Sequence, residues 1–164
     1  EALQPFLDCK DKSIFVLCRT SNPGAGEFQD LLVPHHNQPE PQLSHTGTVT
    51  QYVTKQKPLY QYVAHQVATK WNKNGNCALV VGATYPDELR EVRGLVGDMP
   101  ILIPGIGVQG GDVEKTVSAG KDSRGQGMII NSSRGIIFAS SGEDFPDAAR
   151  RETQKLNDLI NKYR

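Results

Sequence analysis

Short apolar runs alternate with amphipathic stretches along most of the chain. Ser13-Ile14-Phe15-Val16-Leu17-Cys18 is almost continuously apolar, as in a strand buried on both faces of a parallel sheet. Ala78-Leu79-Val80-Val81-Gly82, Ile101-Leu102-Ile103 and Met128-Ile129-Ile130-Asn131-Ser132-Ser133 repeat the pattern. Helical spacing lies between them. With Pro58 as the first helical residue, Leu59, Val63, Val67 and Trp71 form one buried stripe that stops at Gly75, and Trp71 reads as a core anchor because it continues that stripe. Pro86-Asp87-Glu88 starts a second helix with acidic residues at the positive end of its dipole. Leu89, Val92 and Val96 face inward there and Gly97 closes it. Asp112 begins a third helix through Val113, Val117 and Ala119, ending at Gly120. A last amphipathic helix over about 144–163 carries Ala149, Leu156, Leu159, Ile160 and Tyr163 on one stripe, and 1–8 reads as a short helix with Leu3, Phe6 and Leu7 on one side. Four strand–helix units in succession predict an α/β fold with a parallel sheet, whose ligands sit at the C-terminal strand ends.

Residues 34–57 break this rhythm. They are polar, with Pro34, Pro39 and Pro41, and hold three of the four histidines. They read as a long loop or disordered insertion. His35, His36 and His45 have no accompanying Cys or carboxylate pattern, so a solvated loop is expected rather than a metal site.

Length and charge narrow the picture. At 164 residues the chain holds one domain, but falls short of the roughly 250 residues of a complete eight-stranded barrel. Eighteen Lys and Arg balance eighteen Asp and Glu, so no large basic field exists to hold a nucleic-acid backbone. No apolar stretch reaches the length needed to span a membrane. Cys9, Cys18 and Cys77 have neither disulfide nor zinc spacing, and a reducing, cytoplasmic compartment fits them. Glu1-Ala2-Leu3 shows no signal pattern and reads as a start within a longer protein.

Three strand ends carry candidate chemistry. Thr20-Ser21-Asn22 either reads the carbonyl and N–H edge of a polar ring or serves as a turn and cap. Gly105-Ile106-Gly107-Val108-Gln109-Gly110-Gly111 precedes a helix, where backbone N–H groups approach an anion. Its GxGxxG spacing lacks the acidic residue that a dinucleotide fold needs further on. Gln109 suits a base or a phosphate, since its amide both donates and accepts. Ser133-Arg134-Gly135 offers a guanidinium fork for a phosphate. A clamp is favoured over a surface salt bridge there, because two phosphate-suited features close successive strands. No Ser-His-Asp order, HExxH or catalytic carboxylate pair is present. Asp87, Glu88 and Asp112 sit at helix starts, where capping accounts for them.

In order along the chain, Leu17-Cys18-Arg19-Thr20-Ser21-Asn22-Pro23-Gly24, Val81-Gly82-Ala83-Thr84-Tyr85-Pro86, Leu102-Ile103-Pro104-Gly105-Ile106-Gly107-Val108-Gln109-Gly110-Gly111 and Asn131-Ser132-Ser133-Arg134-Gly135 resemble the orotidine 5′-phosphate decarboxylase family, in the branch of many bacteria and protozoan parasites. The resemblance covers nearly the whole chain apart from 34–57. It implies the C-terminal half, strands five to eight, of a (β/α)8 TIM barrel, present here as a single partial domain over 1–164. It also implies loss of carbon dioxide from orotidine monophosphate to give uridine monophosphate in de novo pyrimidine biosynthesis, with no metal or organic cofactor. Thr20 and Ser21 would contact the pyrimidine, Pro104 and Gly107 would line the pocket, and Gln109 would bridge base and phosphate. Arg134, with the backbone of Ser133 and Gly135, would hold the phosphate.

One part of the family pattern is missing. The family's Asp-x-Lys-x-x-Asp motif lies on strand three, and Asp8-Cys9-Lys10-Asp11-Lys12 does not fit it. The chain alone is therefore expected to be inactive, with no catalytic residue of its own. A half barrel leaves sheet edges and one core face uncovered, so pairing with the missing N-terminal half is expected, or self-pairing instead. The complete barrels would form a homodimer. A non-catalytic nucleotide-binding half barrel and another phosphate-binding barrel enzyme, such as an isomerase, are the alternative readings.

Overall fold

The computed structural model describes residues 2–34, 40–53, 56–107 and 111–164. A short helix α1 (Gln4–Leu7) leads to β1 (Ile14–Arg19), and the four-residue α2 (Gly26–Gln29) follows. Strands β2 (Leu32–Pro34), β3 (Glu40–Leu43), β4 (Val49–Val53) and β5 (Gln56–Pro58) come next. Helix α3 (Leu59–Gln66) continues into a π-turn over Val67–Trp71 and a 3-10 turn over Asn72–Asn74. The rest is β6 (Cys77–Val81), α4 (Pro86–Val96), β7 (Ile101–Pro104), α5 (Val113–Gly120), β8 (Met128–Asn131), α6 (Ser133–Ile137) and α7 (Phe145–Tyr163). The main sheet is parallel in the order β1-β6-β7-β8, with each strand beside its predecessor in that series. The expected four strand–helix units are therefore present.

One face of the sheet is packed. Leu79, Val81, Ile101 and Ile103 are fully buried in one cluster with Ala64, Val67, Leu89 and Val92. That pattern follows from alternation: every second strand residue meets the helices. The other face is not covered by the described residues. Leu17 pairs with Val80, Val80 with Leu102, and Leu102 with Ile129, giving an apolar row across all four strands. Leu17 is 67% exposed, Phe15 45% and Ile129 46%. The expectation that β1 is buried on both faces is thus corrected: the described residues leave one face of the sheet open.

The segment expected to be a structureless insertion also needs correction. Its described residues form two antiparallel pairs, β2 with β5 and β3 with β4. Ser44 closes the tip, its Oγ accepting from the N–H groups of Thr46 at 3.3 Å and Thr48 at 3.2 Å. The β-branched Thr48-Val49-Thr50 run ahead of Tyr52-Val53 favours pleated structure. Proline is compatible with short two-stranded ribbons, where one edge of each strand needs no partner.

The stripe expected on α3 is displaced. Pro58 precedes the helix instead of opening it, and Tyr60, Ala64 and Val67 are the buried positions, while Leu59, Val63 and Trp71 are only partly covered. Beyond Val67 the π-turn adds a residue to the turn and rotates Trp71 away from the Tyr60, Ala64 and Val67 row. There Thr69 Oγ1 donates back to the His65 carbonyl at 2.8 Å, a contact that competes with the regular ladder. On α7, Ala148 is buried and Leu159 is exposed, so the stripe is narrower than expected. The last strand stops at Asn131, and Ser133, Arg134 and Gly135 belong to the first turn of α6.

Candidate functional site

The polar strand ends meet on one side of the sheet. Thr20, Ser21, Asn22 and Pro23 after β1, Thr84 after β6, Pro104 at the end of β7 and Arg134 after β8 line one cleft of about 590 Å³, with Leu17 and Val80 as its floor. A neighbouring recess of about 230 Å³ is lined by Pro104, Gly105, Ile106, Asn131, Ser132, Ser133 and Arg134. Pro104 and Arg134 border both. Four of the expected residues, Thr20, Ser21, Pro104 and Arg134, thus share one cavity, and Ser133 faces the adjoining one. Gln109 lies outside the described residues.

Local packing explains this convergence. A Cβ on Gly82 would come within 2.9 Å of the Ser21 side chain, so only glycine lets β6 end this close to the β1 loop. Gly107 adopts φ +87, a left-handed conformation that glycine reaches without strain. Ser132 Oγ donates to the Ile106 carbonyl at 3.1 Å, tying the glycine-rich loop to the start of α6. Asn131 Oδ1 accepts from the Ser133 N–H at 3.2 Å and from its hydroxyl at 2.9 Å. The Ser133 donors are therefore occupied by a side-chain acceptor from β8.

Arg134 is exposed, and among the described residues no hydrogen bond or ion pair engages its guanidinium. The surface salt bridge weighed against the clamp is thus not formed there. Thr84 Oγ1 is buried and has no hydrogen-bond partner among the described residues. Below the Thr20 loop, Arg19 is buried and stacks 4.3 Å from the Tyr85 ring centroid, a favourable placement of a cation over a ring face. The Tyr60 hydroxyl donates to Glu91. Burial, and then that carboxylate, raise the Tyr60 pKa well above its ordinary value. Burial pushes the Cys18 thiol up to about 12, and burial raises Cys77 as well, so neither is a thiolate nucleophile. Among the described residues no group of three or more His, Cys, Asp or Glu comes together to hold a metal ion. His35 and His36 lie outside the described residues, and His45 is exposed. Among the described residues, no helix is long and apolar enough to cross a membrane.

No family model matches the chain. An orotidine 5′-phosphate decarboxylase of Janthinobacterium sp. is 50% identical over 163 residues, covering 99% of this chain and 52% of its own length. That of Ralstonia nicotianae is 49% identical over 164 residues, covering 100% of this chain and 53% of its own. This chain is homologous to part of the orotidine 5′-phosphate decarboxylases. It spans about half the length of the curated relatives it matches. The solved Leishmania donovani OMP decarboxylase superposes with a TM-score of 0.69 at 35% identity, covering 96% of this chain and 52% of that one. The parallel sheet is thus shared with orotidine 5′-phosphate decarboxylase structures.

Several cleft residues escaped the reading of the sequence as candidates. Asn22 belongs to the Thr20-Ser21-Asn22 strand end, but the sequence assigns it no contact of its own. Thr84 lacked any local signal, since a lone threonine after a strand is ordinary. Ser132, one residue before the expected phosphate group, had position as its only signal. Gln29, which lies outside the cleft, carries no motif, and its contacts to Arg19 and Thr20 depend on how α2 folds back onto β1.

Proposed function

We propose that this chain is the C-terminal half of an orotidine 5′-phosphate decarboxylase barrel, strands five to eight, and that it holds the nucleotide during conversion of orotidine monophosphate to uridine monophosphate. The observation that carries this reading is the single cleft shared by Thr20, Ser21, Pro104 and Arg134 at the C-terminal ends of the strands. Thr20 and Ser21 contact the pyrimidine, and Pro104 and Gly107 line the pocket. Gln109 bridges base and phosphate. Arg134 clamps the phosphate with the backbone of Ser133 and Gly135. For that, the Ser133 N–H leaves Asn131 Oδ1, a local exchange of one acceptor for another.

Phosphate contacts supply remote binding energy that assists bond breaking elsewhere in the substrate. As the carbon–carbon bond breaks, carbon dioxide leaves and the bonding pair stays on the ring carbon, which takes up a proton; by the family resemblance the lysine that supplies it belongs to the missing half. This chain alone is accordingly inactive. The uncovered row of Leu17, Val80, Leu102 and Ile129 supports pairing with that half over an independent module. Burying side chains of this size contributes roughly 1.5–3 kcal/mol each. The completed barrel, a homodimer in the cytoplasm, needs neither metal nor organic cofactor.

Arg134→Ala in the completed protein tests the phosphate assignment. Loss of a charge-assisted contact predicts weakening of uridine monophosphate binding by about 2–3 kcal/mol, readable by titration calorimetry. An unchanged affinity would overturn the clamp. Preferential binding of ribose phosphates over uridine monophosphate would instead support another phosphate-binding barrel enzyme.

A further inference from the structure

Thr20 belongs to a hydrogen-bond chain whose direction is set from below the cleft. Arg19 is 3% exposed, lies over Tyr85, and holds Asp30 at 3.1 Å. Its Nη1 donates to Gln29 Oε1 at 3.2 Å, and the Thr20 backbone N–H donates to the same oxygen at 2.9 Å. A guanidinium and a backbone amide only donate, so the Gln29 atom facing them is its carbonyl oxygen. Gln29 Nε2 is thereby turned to Thr20 Oγ1, 3.1 Å away. The Thr20 hydroxyl accepts that bond and directs its own proton to Asn22 Oδ1 at 2.6 Å, much nearer than its other acceptor, Gln29 Oε1 at 3.5 Å. With its oxygen engaged, Asn22 is left with Nδ2 as its outward group, which has only a long 3.5 Å contact to the Pro23 carbonyl. Both Thr20 and Asn22 line the cleft, and Gln29 does not.

We propose that Gln29 is a positioning residue that, through the Thr20 hydroxyl, holds Asn22 with Nδ2 outward as a donor, so that the cleft selects a pyrimidine bearing a ring carbonyl over one bearing an amino group at that place. This rests on the reading that Thr20 faces the base. The loop's shape has separate supports: Ala25 N–H donates to the Asn22 carbonyl and Glu27 N–H to the Gly24 carbonyl. Gln29 therefore controls polarity more than backbone geometry. An amino group in place of the carbonyl would set donor against donor, and specificity of this kind comes from unpaired groups in the wrong complex.

Gln29→Glu is the sharpest test, because it preserves size and the two accepted bonds while removing the one donor. The Thr20 proton then turns to the new carboxylate, and Asn22 is freed to present its oxygen. In the full-length protein the ratio of uridine to cytidine monophosphate affinity is expected to fall at least about fivefold, a loss in scale with one polar contact. Asn22→Asp, at an exposed position, should lower the same ratio without touching Gln29. In a Thr20→Val background, Gln29→Glu should add no further change. An unchanged ratio in both single variants overturns the proposal, as does an equal loss of affinity for the two nucleotides, which marks a merely structural role. If Thr20→Val itself leaves the ratio unchanged, the base-contact reading falls and this inference falls with it. If Thr20→Val lowers the ratio and Gln29→Glu does not, only the inference fails.

Discussion

At the N-terminal ends of the sheet strands most buried polar groups are matched within the chain, with Asn76 Oδ1 an exception, whereas the C-terminal ends leave the exposed Arg134 guanidinium and the buried Thr84 Oγ1 beside a cleft without partners among the described residues. Arg93, nearly buried, donates to the carbonyls of Gly120 at 2.8 Å, Gly97 and Met99 at 2.6 Å each, and Gly127 at 2.9 Å. It joins the ends of α4 and α5 to the connections leading into β7 and β8. Burial lowers its pKa, opposed by the fields of Asp122 and Asp98. Asn76 Nδ2 reaches the carbonyls of Leu7, Cys9 and Lys12. Asp122 accepts from the N–H groups of Arg124 and Gln126. At the opposite end, neither the Arg134 guanidinium nor the buried Thr84 Oγ1 has a partner among the described residues. Buried polar groups are normally satisfied. A strand end that leaves donors open gives up stability that the other end retains, and what it keeps is capacity to bind.

The largest effect that separates the two ends is expected at Arg93. Arg93→Leu strips a donor from each of its carbonyl partners, although Gly127 O keeps the Ile101 N–H. With about 1–3 kcal/mol for each unsatisfied buried acceptor, a loss of about 4 kcal/mol or more is expected in urea unfolding of the full-length protein. Nucleotide affinity of the folded fraction should be unchanged. A loss below about 1 kcal/mol would break the comparison, since that end would not then be the stabilising one. Arg134→Ala gives the reverse pattern: affinity falls as argued above, while stability stays within about 0.5 kcal/mol.

The same division explains what could be read from the sequence. The parallel units were legible because Leu79, Ile101 and Ile103 lie in compact apolar runs, and burial rewards such runs directly. Helix α4 was legible from Leu89 and Val92 and from the acidic start. Segment 34–57 was not, because Pro34 and Pro41 outweighed the β-branched residues near Thr48, and a two-stranded ribbon needs no apolar alternation on a buried face. The α3 face was missed because Leu59 and Val63 have the same four-residue spacing as Tyr60 and Ala64, so spacing alone does not choose between the two rows. At the cleft, Thr20, Ser21, Pro104 and Arg134 were legible as strand-end chemistry. Gln29 and Ser132 were not, because they act on other residues and their partners lie far away in sequence. The Arg93 network was equally invisible, since its acceptors are backbone carbonyls that any sequence supplies.

A smaller effect tests how sharply the ends are divided. Ser132 links the glycine-rich loop to α6 through the Ile106 carbonyl, and its Oγ lies 2.9 Å from where a Cβ on Gly135 would stand. Ser132→Ala should cost about 1 kcal/mol of stability and weaken uridine monophosphate binding roughly fivefold, as the loops lose a shared anchor. If stability falls with no change in affinity, this contact belongs functionally with the stabilising end despite its position.

The smallest effect concerns acid sensitivity at the stabilising end. Burial alone would raise the Asp122 pKa, but hydrogen bonds from Gln126 and Arg124, with the Arg124 charge, carry it below its ordinary value of 3.8. A folded-state pKa below the unfolded one means that the unfolded chain binds more protons in that window. The resulting stabilisation is fully present above the ordinary carboxylate value, and is lost as pH falls through it toward the folded-state value. Asp122→Asn keeps the acceptor for both N–H groups and removes the titration. Its urea midpoint should therefore fall less steeply than the wild type's between about pH 5 and pH 3, the two curves converging at the acid limit. Parallel curves across that range would mean that the Asp122 charge adds nothing beyond its shape. The stabilising end would then rest on neutral acceptors and the buried Arg93 cation, which keeps its charge at every pH in the experiment.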